Sequence, residues 1–318
     1  MKKSLITKFL VTIHLMVLTA CGEIETKISV TDEKGNPIED AEVQVIFQAY
    51  QSKNDEYVVE TTNKDGAVIL RGRAEAGVRL LVSKDGYYSS EIKDLSPNAD
   101  LDLKIRLRIK KDPIPLFAKK IILRMPVAEK WVGFDLEKAE FTAPYGNGKF
   151  SDLRFRMSSI KTTNNGLVST SGQGKLEFSF SEEHDGFLFE EEGFLSNSRL
   201  KMPHIAPEYG YQKLLVRNEK SYTNSNVKLN AGMFFRVRSV VDEDGSLESA
   251  NYGKFASDLQ YDPRESGWHV SHKNKPKNFG TISFVYYFNP QVNDRNLEFD
   301  PSRNLFSNLS RDEQVFAP

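Results

Sequence analysis

The sequence is poor in the residues that carry most protein chemistry. It has one cysteine, Cys21, so no disulfide can close within the chain and no set of thiolates is available for zinc. Its five histidines give no metal-binding spacing, and the chain points to no metal and no cofactor. No Gly-x-Ser-x-Gly stretch occurs, which removes the usual signature of a serine hydrolase. Positive charge is not in excess, with 43 Lys and Arg against 44 Asp and Glu. That balance excludes the basic patch or stripe that nucleic acid requires. Long apolar runs are missing too: Phe9–Leu18 is interrupted by Thr12 and His14 and falls well short of the roughly 20 residues needed to cross a hydrocarbon core.

What the first residues do contain is a basic start, Lys2, Lys3 and Lys8, followed by that short apolar run, which is the layout of a secretory signal. Leu18-Thr19-Ala20-Cys21 then resembles the bacterial lipobox. The resemblance implies that residues 1–20 are removed as a signal peptide and that Cys21 is the lipidated first residue of the mature chain. Its partner is then a membrane, held through a multi-chain anchor that does not readily let go. Gly22 stands where an inner-membrane retention signal would place Asp, so the family pattern points to the outer membrane, with the periplasmic face or the cell surface left open. Removing residues 1–20 takes away three lysines and no acidic residue, leaving a net charge near −4.

The rest reads as all-β. Phe and Tyr are frequent, and 20 Gly and 13 Pro punctuate short segments. After a tether at residues 21–26, a seven-strand module is expected over 27–109. Its first strand carries Ile24, Thr26, Ile28 and Val30 on one face. Val43, Val45 and Phe47, then Tyr57 to Thr61, Val68 with Leu70, Val78 to Val82, and Tyr88 to Ile92 continue the count. Leu101, Leu103, Ile105, Leu107 and Ile109 alternate with charged residues, which predicts a last strand with one wet face. Seven short strands separated by Gly and Pro turns argue for a small Ig-like sandwich.

Three segments in this module, Ile28-Ser29-Val30-Thr31-Asp32 through Ala41-Glu42-Val43-Gln44-Val45, Thr62-Asn63-Lys64-Asp65-Gly66 and Val82-Ser83-Lys84-Asp85-Gly86-Tyr87, resemble the carboxypeptidase regulatory-like domain. The resemblance implies a prealbumin-like fold and no particular activity, since such modules are appended to proteins of many kinds. Its place beside Cys21 makes it a pedestal close to the lipid headgroups.

Residues 110–115, with Pro113 and Pro115, are expected to form a linker. Residues 116–318 follow as a larger β-rich domain, with strands expected at 120–125, 153–157, 175–180, 233–241 and 281–288. Tyr145-Gly146-Asn147-Gly148-Lys149-Phe150-Ser151-Asp152-Leu153 is echoed by Tyr252-Gly253-Lys254-Phe255-Ala256-Ser257-Asp258-Leu259 at an offset of 106 residues. The same offset carries Gly174–Phe178 onto Gly280–Phe284, which suggests an internally duplicated sandwich.

Candidate chemistry is thin. His269 and His272, near Trp268, Asp262 and Glu265, lie in a loop-like stretch, and on a strand they would face opposite ways. The acidic run Glu182–Asp185 with Glu190–Glu192 reads as a solvated hairpin tip. Asp242-Glu243-Asp244-Gly245 reads as a β-turn, because Asn251 occupies the place of the bidentate glutamate of a calcium loop. Trp131, Trp268, Tyr145 and Tyr252 are the candidate sugar-stacking aromatics, although Phe outnumbers Tyr and Trp together, 21 to 14. No catalytic residue is singled out. The expected function is a non-catalytic, lipid-anchored envelope protein that binds or scaffolds a protein or glycan. The other readings are a carbohydrate-binding surface lipoprotein and an envelope hydrolase with an acidic pair in the larger half.

Overall fold

The computed structural model describes residues 23–50, 54–96, 99–164, 167–190, 197–220, 232–256, 259–262 and 280–318. They are almost entirely β, as the sequence predicts, and divide into two compact units: the chain up to Ser83 with Glu91–Ile105, and Lys84–Ser90 with Arg106–Pro318.

The strands up to the end of the module are β1 (Ile24–Thr31), β2 (Glu42–Gln48), β3 (Glu56–Thr61), β4 (Ala67–Gly72), β5 (Gly77–Ser83), β6 (Tyr87–Tyr88), β7 (Ser90–Leu95), β8 (Leu101–Arg106) and β9 (Arg108–Ile109). In the first unit they form two sheets, β4-β1-β8 and β3-β2-β5-β7. Alternation sets which side chains go inside: Ile24, Thr26, Ile28 and Val30 of β1 are buried, as are Val43, Val45 and Phe47 of β2 and Val78, Leu80 and Val82 of β5. The sheets pack closely enough that a Cβ on Gly72 would lie 2.3 Å from the Phe47 ring. The predicted turns form through Asx caps. Asp32 accepts from the N–H groups of Lys34 and Asn36, and Asn63 from those of Asp65 and Ala67. Gly66 is required in the second turn, since its φ is +70° and a Cβ there would meet the Val30 carbonyl at 2.5 Å.

Two expectations change at the end of the module. Alternation holds through Leu107 and then loses phase: Arg108 is buried and Ile109 exposed. The physical reason is a change of partner, because β9 pairs with β6 in the second unit and follows that unit's inside and outside. The segment expected as a linker is likewise bonded into the second unit. Lys111 and Asp112 donate their N–H groups to the Glu298 carboxylate, and Ile114 donates to the Glu298 carbonyl at 2.7 Å.

The second unit continues with β10 (Phe117–Arg124), β11 (Val132–Asp135), β12 (Glu140–Phe141), β13 (Leu153–Asn164), β14 (Leu167–Phe180), β15 (Gly186–Glu190), β16 (Leu214–Lys220), β17 (Gly232–Val241), β18 (Leu247–Phe255), β19 (Gln260–Asp262) and β20 (Thr281–Asn289). One sheet runs β12-β11-β13-β14-β16, the other β15-β17-β18-β20-β10 with β19 added alongside β20. Their inner faces share a phenylalanine-rich core that includes Phe134, Phe155, Phe178, Phe180, Phe235, Phe255 and Phe284. Phe155 stacks on Phe178 at 5.3 Å, and Phe255 meets Phe284 edge-on at the same separation. Each buried phenylalanine contributes about 1.5–3 kcal/mol, and each ring pair about 0.5–1.5 kcal/mol more.

The β17-β18-β20 sheet is covered on its other face as well. A second core containing Leu116, Met202, Phe234, Tyr252, Tyr287, Leu297 and Phe299 lies there. Strands buried on both faces lose their polar side, which is why β17 opens with six consecutive buried residues.

The suspected duplication divides into two cases. Gly174–Phe178 lies in β14 and Gly280–Phe284 leads into β20, each an interior strand of its own sheet. The other block does not correspond. Tyr145–Phe150 is a loop, whereas Tyr252–Phe255 is in β18, and Asp258 lies outside the described residues. The two glycines also serve different needs: a Cβ on Gly146 would meet the Phe141 carbonyl oxygen at 2.3 Å, and one on Gly253 the Phe235 ring at 2.1 Å.

Candidate functional site

Of the residues singled out by sequence, Cys21, Glu191, Glu192, Glu265, Trp268, His269 and His272 lie outside the described residues. Tyr145 is exposed in the loop between β12 and β13. Tyr252 is not a surface platform: it is 4% exposed, with its ring centre 6.4 Å from that of Tyr211 in the second core. Its strand is covered on both faces, so alternation could not turn it to water.

Trp131 sits just before β11, beside β13. Arg154 and Arg156, two residues apart on β13, share one face and lay their guanidinium carbons 5.3 and 4.8 Å from the Trp131 ring centre. Arg156 forks onto Glu177 of β14, with Nε donating to Oε2 at 2.5 Å and Nη2 to Oε1 at 2.7 Å. Lys175 approaches the same carboxylate at 3.0 Å. The Arg156 bonds, followed by Lys175, hold the Glu177 carboxyl below the usual carboxylate range. The arrangement is a sheet face with one aromatic, three cations and one carboxylate.

A second cluster is built around Arg238. A bulge in β17 between Val237 and Val240 puts Arg238 in the left-handed region, at φ +57°. From there its Nε donates to Asp152 Oδ1 at 2.8 Å, Nη2 to Oδ2 at 3.0 Å, and Nη1 to Glu137. Phe150 and Phe288 flank the guanidinium at 4.3 and 5.0 Å. Burial raises the Asp152 carboxyl despite the opposing Arg238. Asp135 is beneath the same loop. Burial favours its neutral acid, yet four backbone N–H groups, from Glu137, Lys138, Lys149 and Phe150, together hold its carboxyl below the normal value.

The deepest charges belong to Glu298 and Lys254. Glu298 is fully buried and accepts from Tyr88 Oη at 2.7 Å as well as from Lys111 and Asp112. His204 Nε2 lies 3.8 Å from it and 2.8 Å from the Ile109 carbonyl. Lys254 points from β18 into the second core, its Nζ without a hydrogen-bond partner among the described residues and 4.7 Å from the Tyr287 ring centre. Burial, then the positive field of Arg108, lowers its ammonium to about 7 against the opposing pull of Glu298. None of these residues was legible as a site. Tyr252-Gly253-Lys254-Phe255 alternates like any half-exposed strand.

The acidic run Glu182–Asp185 is in part structural. Asp185 is buried and accepts from the N–H groups of Ser239 and Glu182. Among the described residues, no group of three His, Cys, Asp or Glu side chains is placed to hold a metal ion.

No family model matches the chain, and no curated protein does. Solved structures with partial likeness include a streptococcal ancillary pilin, 10% identical over 55% of this chain and 57% of that one, with a TM-score of 0.19. A candidate carbohydrate-binding protein from Bacteroides uniformis ATCC 8492 is 9% identical over 85% of this chain and 98% of its own, with a TM-score of 0.20. A DUF3823 family protein from Parabacteroides merdae ATCC 43184 is 10% identical over 68% and 89%, with a TM-score of 0.19. The chain thus spans little more than half of the pilin.

Proposed function

We propose that the chain is a lipid-anchored protein of a bacterial envelope that binds or scaffolds and does not catalyse. Leu18-Thr19-Ala20-Cys21 supports the anchor, and Gly22 supports the outer membrane as its destination. Residues 28–87 support a carboxypeptidase regulatory-like module, whose seven strands in two sheets suit that reading.

The observation that carries the non-catalytic reading is how the buried carboxylates are used. Among the described residues, Asp135, Asp152, Glu177, Asp185 and Glu298 are the buried acids. Each is committed to backbone N–H groups, an arginine or a tyrosine of the chain itself. Glycoside cleavage needs a carboxylic acid and a carboxylate facing substrate across a cleft. Carboxylates occupied in this way hold loops and strands in register instead. The Trp131 face is the surface best equipped to bind: Arg154 and Arg156 lie over the ring, and these cations, with Lys175 beside them, suit a glycan ligand carrying acidic groups.

Two measurements test the proposal on the full-length protein. Intact mass spectrometry of the membrane fraction is expected to show an acylated Cys21, and Cys21→Ala is expected to leave that fraction. Glycan-array binding, repeated with Arg154→Ala, is expected to show saturable binding that the substitution weakens and no shortening of the bound glycan. Glycan cleavage that follows protein concentration would reverse the assignment.

A further inference from the structure

We infer that the first unit meets the bilayer by one defined end, the end at which β1 begins, with Tyr50 lodged among the lipid headgroups. The inference rests on the anchor proposed above and adds the surface that touches lipid. Two residues, Gly22 and Glu23, separate Cys21 from Ile24, the first residue of β1, and the three backbone steps reach about 10 Å when extended. An acylated Cys21 therefore holds the start of β1 within that distance of the headgroups.

Hydrogen bonds identify what else lies at that end. Ile24 pairs with Gly72, the last residue of β4, and Glu25 N–H donates to Asp100 at 2.9 Å. Just beyond β4, Arg73 N–H donates to Glu56 at 3.0 Å, and the Glu75 and Ala76 N–H groups donate to the Gln48 carbonyl at 2.9 and 3.0 Å. Ala49 N–H donates to Asp55. The ends of β2 and β4 and the starts of β1, β3 and β8 thus converge, while Thr31 and the turn through Lys34 are at the far end of β1.

Two aromatics protrude near this end: Tyr50, 62% exposed just after β2, and Tyr57, 60% exposed at the start of β3. Tyrosine, apolar in its ring and polar at its tip, favours the headgroup level of a membrane. The nearby carboxylates of Asp55, Glu56 and Asp100 accept from backbone N–H groups of the same end. Arg71 is tied to Glu25. These carboxylates and Arg71 are each held within the protein, so the contact is aromatic and set by the tether, with little dependence on salt.

Acylation consumes the sole cysteine, so one introduced thiol can be labelled uniquely. Acylated full-length Tyr50→Cys, Ala76→Cys and Lys34→Cys carry a bimane label and are reconstituted in phosphatidylethanolamine and phosphatidylglycerol vesicles containing brominated lipid. Ala76 and Lys34 are both exposed, so at least one position at each end tolerates the change. The expected result is quenching at least twofold stronger at 50 and 76 than at 34, unchanged between low and high salt. Equal quenching at all three positions, in protein that floats with the vesicles, would overturn the orientation and leave the anchor standing. Failure of the unlabelled parent to float would overturn the anchor and the orientation with it.

Discussion

Lys254 and Tyr287 face each other across β18 and β20, with the lysine amine 4.7 Å from the ring centre and no hydrogen-bond partner among the described residues. The pair places a titratable nitrogen where water does not reach, and the stability of the second unit depends on whether it carries a proton.

The folded-state ammonium is lowered to about 7 from an ordinary 10.5. Below pH 7 both folded and unfolded chains hold the proton, and the cost of burying the charge is fully present. Between pH 7 and 10.5 the unfolded chain binds more protons, so stability rises with pH. The full span corresponds to about 5 kcal/mol, an order-of-magnitude figure. Urea midpoints of the parent are expected to climb from pH 7 to pH 10, while Lys254→Met is more stable at pH 7 and lacks the climb. Parallel profiles for the two proteins would refute the account.

Arg238 and Asp152 are 86 residues apart in sequence and joined by two hydrogen bonds. Breaking a buried pair leaves one charge without its partner, which costs about 3–5 kcal/mol. Arg238→Ala is expected toward the lower end of that range, because the arginine is partly exposed and its left-handed backbone is strained. In a double-mutant cycle with Asp152→Ala, the double variant should lose clearly less than the sum of the singles. Additive losses would show that the two residues act independently.

Gly253 and Gly245 separate crowding from backbone strain. An alanine at 253 would put its Cβ 2.1 Å from Phe235 and 2.5 Å from the Tyr287 carbonyl oxygen, whereas 245 opens onto free space at φ +79°. Gly245→Ala should cost about 1–2 kcal/mol, the penalty of the left-handed region alone. Gly253→Ala should cost several times more or prevent folding, as read from expression yield and thermal midpoint. Similar midpoints for the two variants would mean that β17 and β18 can yield at this contact.

Asp135 tests acid stability. Its folded carboxyl is lowered from 3.8 by four N–H donors acting against burial. The stabilisation it provides is present above pH 3.8 and is lost as pH falls through the folded value. Asp135→Asn is expected to be less stable than the parent at pH 6, with the gap closing as the pH falls below 3.8. Thermal melts across that range decide it, since a constant gap would assign the effect to shape and not to charge.

Much of the first unit was legible from residue order. Ile24, Thr26, Ile28 and Val30 pointed inward as their spacing implied, and the turns at Asp32 and Asn63 formed where Asx and glycine chemistry placed them. The reading failed at Leu107 and Arg108, where the chain changes sheets and an alternation continuous in sequence ceases to be continuous in space. The sugar-stacking set was legible only as residue types: the fold leaves Tyr145 exposed, covers Trp131 with arginines and buries Tyr252.

By itself the sequence determined the all-β build, the turns and the inward faces of the strands in the first unit. Those properties depend on local sterics and on a period of two, which a chain displays without knowing its neighbours. Only the tertiary structure decided that Lys254, Glu298 and Arg108 are buried and that Arg238 reaches Asp152. A period of two distinguishes two faces of a strand but does not say whether the second is covered. In the β17-β18-β20 sheet both are, and a lysine that alternation assigns to water is enclosed by apolar side chains from distant parts of the chain.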